Sequence, residues 1–290
     1  MKNTEIDALI RLLDDTDKEV FTHIEKRLIE IGEEAIPVLE SAWGHSFDLI
    51  LQQRIENIIH KIQLEQLTQE LKTWYDKDRD NLMNGALIIA KYQYPDLNIA
   101  KVLKKIDKIR RDVWIELNDN LTALEQVKVI NHIFFTIHGF SGNTQNYHAP
   151  QNSFINNVLE TKKGNPLSLA ILYSEICRSV GVPVYGVNLP EHFILVYKDE
   201  GSILPLNAEE KNPRLLFYIN PFSKGSIFGP KEIDNFLKQL KLKAEKSFYE
   251  PCGNAEILQR MIRNLVFSFT KLGHDDKVVE LENLLKALGD

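Results

Sequence analysis

The chain has 290 residues, 43% hydrophobic and 26% charged, with a net charge of −6. That balance belongs to a folded chain with room for about two domains, and excludes collagen-like, low-complexity and basic nucleic-acid-binding classes. Two cysteines, Cys177 and Cys252, exclude a disulfide framework and a cysteine zinc site; no apolar run approaches the ~18 residues of a membrane helix, no apolar leader follows Met1, and the expected location is cytoplasmic.

The charge is uneven. Residues 1–70 hold 7 Lys/Arg against 15 Asp/Glu, a net −8, while the remainder carries +2. An acidic N-terminal module, residues 1–75, is therefore expected, and it reads as successive helices. Thr4 and Asp7 resemble a capping pair ahead of Leu9, Ile10, Leu12 and Leu13. Asp15 to Asp17 open a second helix that Gly32 closes, and Pro37 sits in the first turn of a third. A longer helix comes next, with Ile55, Ile58, Ile59, Ile62, Leu64 and Leu67 on its apolar side. The phrase "LLDDTDKEVFTHIEKRLIEIGEEAIPVLESAW" resembles one HEAT-type helical repeat. One and a half such units cannot bury their own faces, so this arm is expected to lean on the central part of the protein.

Further helices are expected near 79–92, 98–117, 122–138 and 152–162, separated by Pro95-Asp96, by Asn118 to Asn120 and by Gly139 to Pro150. Lys101, Lys104, Lys105, Lys108 and Arg111 surround the second of these, a solvated basic face complementary in charge to the acidic arm. "NPLSLAILYSEICRSVG" is an amphipathic helix with Asn165 as its cap, Pro166 in its first turn and Gly181 at its end. The runs "VPVYGVNL", "HFILVYK" and "RLLFYINPF" have strand chemistry, punctuated by Gly186, Pro190, Gly201 and the polar stretch 205–213. A helix leading into such a meander indicates an α+β fold. Residues 246–290 form a helical pair hinged at Gly273, similar to a TPR-type hairpin, leaving 76–245 as the central domain.

Residues 139–222 carry a more specific likeness. "GFSGNTQNYHAPQNSF", "GNPLSLAILYSEICRSVGVPVYGVNLPEHFILVY" and "YINPF" occur in an order that resembles the SirB1 family of transglutaminase-like proteins, and "DNLMNGALIIAKYQYPDLNIAKVLKKIDKI" and "EILQRMIRNL" extend the likeness over about residues 78–270. The resemblance implies a papain-like core: a helix bearing the nucleophile position at its N-terminus, packed on a small antiparallel sheet bearing the other two triad positions. His192 matches the histidine position. Asn220 matches the orienting position, where the family usually shows Asp; an amide still accepts from an imidazole N–H but stabilises an imidazolium less. The nucleophile position falls on Pro166 or within a residue or two of it, and Asn165, Pro166, Leu167 and Ser168 carry no thiol. Cys177, eleven residues along the helix, is ~16 Å from its start at ~1.5 Å per residue, and Cys252 lies beyond the sheet.

Two roles stand open for Ser168: a hydroxyl nucleophile activated by His192, or a first-turn hydroxyl bonded to backbone, which is the favoured reading. His192 similarly reads as a half-buried histidine bonded to Asn220, or as a working acid–base group. Tyr147, His148, Asn152 and Ser153 lie in a loop leading to the central helix, with Asn152 expected to cap the helix after it; Glu191 follows Pro190 in a bend that sets strand register. Asn165, Pro166, Tyr147, His148 and Glu191 are the expected cleft residues. His148 and His192 without a carboxylate framework make no metal site, and no cofactor is expected. The chain thus reads as a transglutaminase-like protein without cysteine catalysis, binding a protein or peptide through its cleft and helical flanks, with neither nucleic acid nor membrane as partner. The alternative is a hydrolase or acyltransferase using Ser168, His192 and Asn220.

Overall fold

The computed structural model describes residues 2–15, 17–199 and 215–289. Gly201 and the stretch 205–213, expected to punctuate the strands, lie outside the described residues. In chain order the helices of the N-terminal arm are α1 (Lys2–Ile10), α2 (Lys18–Ile31), α3 (Ile36–His45) and α4 (Leu49–Lys77). Each boundary has a local cause. Asp17 caps α2 by accepting from the Glu19 amide at 2.8 Å, and Gly32 ends it at φ 74°. Asp48 caps α4 by accepting from the Ile50 amide at 2.8 Å. Thr4 caps nothing: α1 already begins at Lys2, so Thr4 lies inside the first turns and not ahead of them.

Ile6, Leu13, Ile24, Leu28, Leu39, Ile55, Ile58 and Ile62 close a core inside the arm. The second half of α4 leaves that core. Leu67, Leu71 and Trp74 join the main core, so the expected boundary at 75/76 falls within one helix of 29 residues, about 44 Å long. The arm does lean on its neighbours: Glu280 accepts from the Tyr92 hydroxyl at 2.7 Å and meets His60 Nε2 at 2.7 Å.

After the arm come α5 (Leu82–Lys91), α6 (Ile99–Glu116), α7 (Ala123–Asn131), the short strand β1 (Ser141–Gly142), α8 (Ile155–Thr161), β2 (Lys163–Gly164) and α9 (Pro166–Ser179). β1 and β2 pair in parallel, Ser141 opposite Lys163. The basic face of α6 pairs within the central domain and not with the arm: Lys105 meets Glu160 at 3.0 Å, and among the described residues no ion pair joins α6 to residues 1–75. The proximity of α8 and its carboxylate decides this. Beyond α9 the chain forms β3 (Val184–Leu189), β4 (His192–Lys198), β5 (Leu215–Asn220), β6 (Ser226–Phe228), then α10 (Pro230–Gln239), α11 (Asn254–Leu272) and α12 (Asp275–Lys286). The sheet is the expected antiparallel meander, β3-β4-β5-β6, with Val184 opposite Tyr197 and Leu195 opposite Ile219.

The sheet is covered on both faces. Phe193, Leu195, Tyr197 and Ile219 pack in one core with Leu169, Leu172, Tyr173 and Ile176 of α9. The alternate residues, Ile194, Val196 and Tyr218, pack with Ile233 and Leu237 of α10. α10 and β6 were not anticipated, although Gly229 opens α10 with its amide donating 3.1 Å to Glu232. α11 and α12 turn back at Gly273, φ 74°, and place Ile257, Leu258, Met261, Leu265 and Leu281 in the main core, so residues 246–290 share that core with the central domain.

Candidate functional site

A cleft of about 520 Å³ opens where the start of α9, the β3–β4 hairpin, the loop before α8 and α11 converge. Its floor is Asn165, Pro166 and Leu167; its walls carry Tyr147, His148, Glu191, His192 and Phe193, and Arg260, Asn264 and Phe267 of α11. Of the residues singled out from sequence, Tyr147, His148, Asn165, Pro166, Glu191 and His192 line this cleft. Ser168 and Asn220 do not.

The start of α9 is tied to the preceding loop by a closed set of hydrogen bonds. Asn165 Oδ1 accepts from the Ser168 amide at 2.8 Å, and Ser168 Oγ accepts from the Asn165 amide at 3.1 Å, a reciprocal cap. Ser168 Oγ donates its own proton to the Asn152 carbonyl at 2.6 Å, and Asn165 Nδ2 donates to Ser153 Oγ at 2.9 Å. Ser168 is 1% exposed. Gly164 makes the approach possible: a Cβ there would stand 2.7 Å from Ser168 Oγ. Asn152 does not cap α8, whose cap position is Phe154 and which has no side-chain cap; the Asn152 side-chain amide donates to the Asn146 and Tyr147 carbonyls at 2.7 and 3.0 Å and holds the loop closed.

The hairpin places His192 differently from the resemblance. Pro190 and Glu191 form a two-residue turn, Glu191 at φ 57°, with Leu189 paired to His192. Strand alternation then puts His192 on the same side as Ile194 and Val196, the side covered by α10, and its ring meets Phe236 edge-on at 4.7 Å. Although the residue is exposed to solvent, this packing lowers the imidazole pKa more than Arg260 does, against the opposing pull of Glu191. Asn220 does not reach the ring. Its Oδ1 accepts from the Phe222 and Ser223 amides at 3.1 and 3.3 Å, capping the turn after β5. The expected His192–Asn220 bond and the Ser168–His192–Asn220 alignment are absent because turn and helix capping engage both partners locally.

Neither thiol enters the cleft. Cys177, on the core-facing side of α9, is fully buried, and desolvation drives its pKa far up. Cys252 packs against β3, donating its amide and Sγ to the Gly186 carbonyl at 2.9 and 3.3 Å, with its pKa pushed up to about 12 mainly by burial. Among the described residues no group of three His, Cys, Asp or Glu side chains has metal-binding spacing, and no helix is long and apolar enough to cross a membrane.

Sequence reasoning missed the wall supplied by α11. Arg260, Asn264, Phe267 and Ser268 recur at i, i+4, i+7 and i+8, a polar and aromatic stripe along one face of an amphipathic helix. That spacing was visible. What was not visible is that the stripe faces the start of α9. Phe267, 52% exposed, stands 5.3 Å from the His148 ring, which meets Tyr147 at 5.1 Å, which in turn meets Phe222 at 5.7 Å. The cleft therefore has an aromatic rim.

Comparison with known proteins agrees with this architecture. Residues 100–263 match the family model described as the transglutaminase-like superfamily. A UPF0162 protein of Xylella fastidiosa (strain Temecula1 / ATCC 700964) is 32% identical over 197 residues, covering 63% of this chain and 63% of that protein. A UPF0162 protein of Pseudomonas aeruginosa is 26% identical, again over 63% of both proteins. F-box only protein 21 of Homo sapiens is 25% identical over 256 residues, 79% of this chain and 39% of that protein. The chain thus spans less than two thirds of the length of the curated relatives it matches. No solved structure matches it.

Proposed function

The chain belongs to the transglutaminase-like superfamily, and from that premise we propose that it is a non-catalytic member of SirB1 type whose cleft binds a peptide segment of another protein. The observation that carries the reading is the Ser168 hydroxyl, buried and donating at 2.6 Å to the Asn152 carbonyl. A nucleophile needs a free lone pair aimed at substrate and a base within reach. Ser168 has neither, Pro166 offers no nucleophilic atom, and His192 is turned toward Phe236. These observations weigh against acyl transfer through Ser168, His192 and Asn220 and support the binding reading. An open cleft with an aromatic rim, floored by a rigidly capped helix start, instead suits an extended segment held by stacking and backbone contacts.

In this reading the acidic HEAT-like arm (1–75) and the TPR-like pair (246–290) flank the transglutaminase-like domain (76–245) and extend the contact surface, in the cytoplasm and without nucleic acid or membrane. The test is selection of displayed nine-residue peptides on the full-length protein. Peptides that bind the native protein, fail on the cleft-rim variant Phe267→Glu and bind the surface control Trp114→Glu support the proposal. Both side chains are more than half exposed, and melting curves establish that both variants fold before binding is compared. No enriched peptide, or binding indifferent to Phe267→Glu, overturns it. So does fluorophosphonate labelling of the native protein that is lost in Ser168→Ala.

A further inference from the structure

Arg260 projects from α11 into the cleft; like Arg54, which bonds to the Leu13 and Asp15 carbonyls, it is a part-buried arginine held by neutral acceptors, but of the two only Arg260 lines this cleft. Arg27, Arg110, Arg111 and Arg178 each lie within 3.5 Å of a carboxylate oxygen. Arg260 has no carboxylate within ion-pair distance among the described residues. Its Nη1 donates to Asn188 Oδ1 and to the Leu189 carbonyl, the latter at 2.7 Å, both neutral acceptors. The guanidinium lies 5.7 Å from the Phe193 ring centre. A guanidinium keeps its proton in a protein, so this half-buried group is a fixed cation even though desolvation lowers its pKa.

Two acceptors on one terminal nitrogen hold the side chain in place, and among the described residues Nε and Nη2 have no acceptor. Those two nitrogens form the planar edge that engages a carboxylate through two parallel hydrogen bonds. The cleft is otherwise nearly free of charge. Among the described residues Glu191 is its one acidic lining residue, exposed at the hairpin tip and outside ion-pair distance of Arg260. Asn264, one turn along α11, supplies a neutral amide beside the cation. The positive end of the 14-residue helix α9 opens on the same space, with Leu167 at a position whose amide has no intrahelical acceptor.

We propose that Arg260 makes this cleft a receptor for a carboxylate carried by a peptide, with the neighbouring apolar side chain of that peptide resting against Phe193 and Phe267. The inference deepens the peptide-binding reading above and rests on it. A single cation flanked by amides and aromatic rings balances a monoanion. A phosphate dianion would call for a second permanent cation, and among the described residues no further arginine or lysine lines the cleft. The carboxylate is therefore an Asp or Glu side chain or the free C-terminus of the peptide.

The experiment is a titration of the full-length, isotopically labelled protein followed at the Arg260 Nε–H resonance and the Phe267 amide. Four dipeptide probes are compared: acetyl-Phe-Glu-amide against acetyl-Phe-Gln-amide, and acetyl-Gln-Phe with a free carboxylate against acetyl-Gln-Phe-amide. At least one acid is expected to bind about tenfold more tightly than its amide counterpart, as one charge-assisted pair warrants, and the pair showing the difference names the source. The preference disappears in Arg260→Gln and survives in weakened form in Arg260→Lys, with melting curves showing that both variants fold. Acids and amides binding alike overturns the carboxylate inference while leaving peptide binding standing. No saturable shift from any probe, or inorganic phosphate displacing the acids at lower concentration than they bind, overturns it as well. Failure of the peptide-binding reading has a different signature: no cleft-dependent peptide in the display selection.

Discussion

Replacing Ser168 by alanine separates a structural hydroxyl from a catalytic one. The side chain makes two strong bonds that alanine cannot, donation to the Asn152 carbonyl at 2.6 Å and acceptance from the Asn165 amide at 3.1 Å, with a weaker shared contact to the Asn165 carbonyl at 3.3 Å. Both partners are backbone groups in a region closed to water, so each lost bond costs about 1–1.5 kcal/mol. The β-carbon remains and the cavity left is smaller than a methyl group, so the packing loss is minor. The total is about 2–3 kcal/mol, which lowers Tm by roughly 3–5 °C in a protein of this size. Urea denaturation followed by tryptophan fluorescence reads the same loss as a shifted midpoint with unchanged slope. Asn165→Ala removes the cap on the Ser168 amide and the bond to Ser153, so the two substitutions share one network. The double variant is expected to lose about 1 kcal/mol less than the sum of the single losses. A Ser168→Ala variant that melts with the native protein refutes the assignment of this hydroxyl as a tie between the loop and α9.

Pro166→Cys puts a thiol at the positive end of α9 and inside the cleft; it should alkylate with iodoacetamide at pH 7 at least about tenfold faster than Cys252, whose burial suppresses the thiolate on the order of a thousandfold. The same variant should still lack acyl-transfer activity, measured as ammonia release from a glutamine peptide, because His192 faces Phe236. His138 is held below its ordinary pKa, first by burial, against the pull of Asp112 at 2.8 Å and with Lys162 and Lys108 adding to the depression. The unfolded state then binds more protons than the folded one below pH ~6.5, so stability falls as pH drops through that value toward the folded pKa; His138→Gln should flatten this part of the urea-midpoint profile. Gly85→Ala drives a methyl to 2.3 Å from Leu258 and 2.7 Å from Trp74, and should cost about 1–3 kcal/mol in chemical denaturation by forcing α4, α5 and α11 apart.

Local signals were legible wherever a residue acts on its own neighbours. Asp17 and Gly32 delimit α2, Asn165 and Pro166 open α9, Gly273 turns α11 into α12, and three of the four main strands lie where β-branched and aromatic runs stand. Ser168 bonding to backbone in the first turn was also readable, since first-turn hydroxyls have that option within reach. β6 was missed because three residues, Ser226–Phe228, carry too little alternation to stand out. The amphipathic run of α10 gave a readable period, yet its partner is the far face of the sheet, which no local signal announces.

The amino-acid pattern by itself determined a helical protein with one central capped helix, an antiparallel meander after it, and no sulfur at the helix start. Those properties arise from periodicity, capping and the identity of single side chains, all of which act over a few residues. Only the tertiary structure decided that His192 turns toward Phe236, that Asn220 caps its own turn, and that Arg260, almost a hundred positions beyond Asn165, stands in the same cleft. Strand register and the packing of α11 against α9 set those outcomes, and both depend on contacts between segments far apart in the sequence.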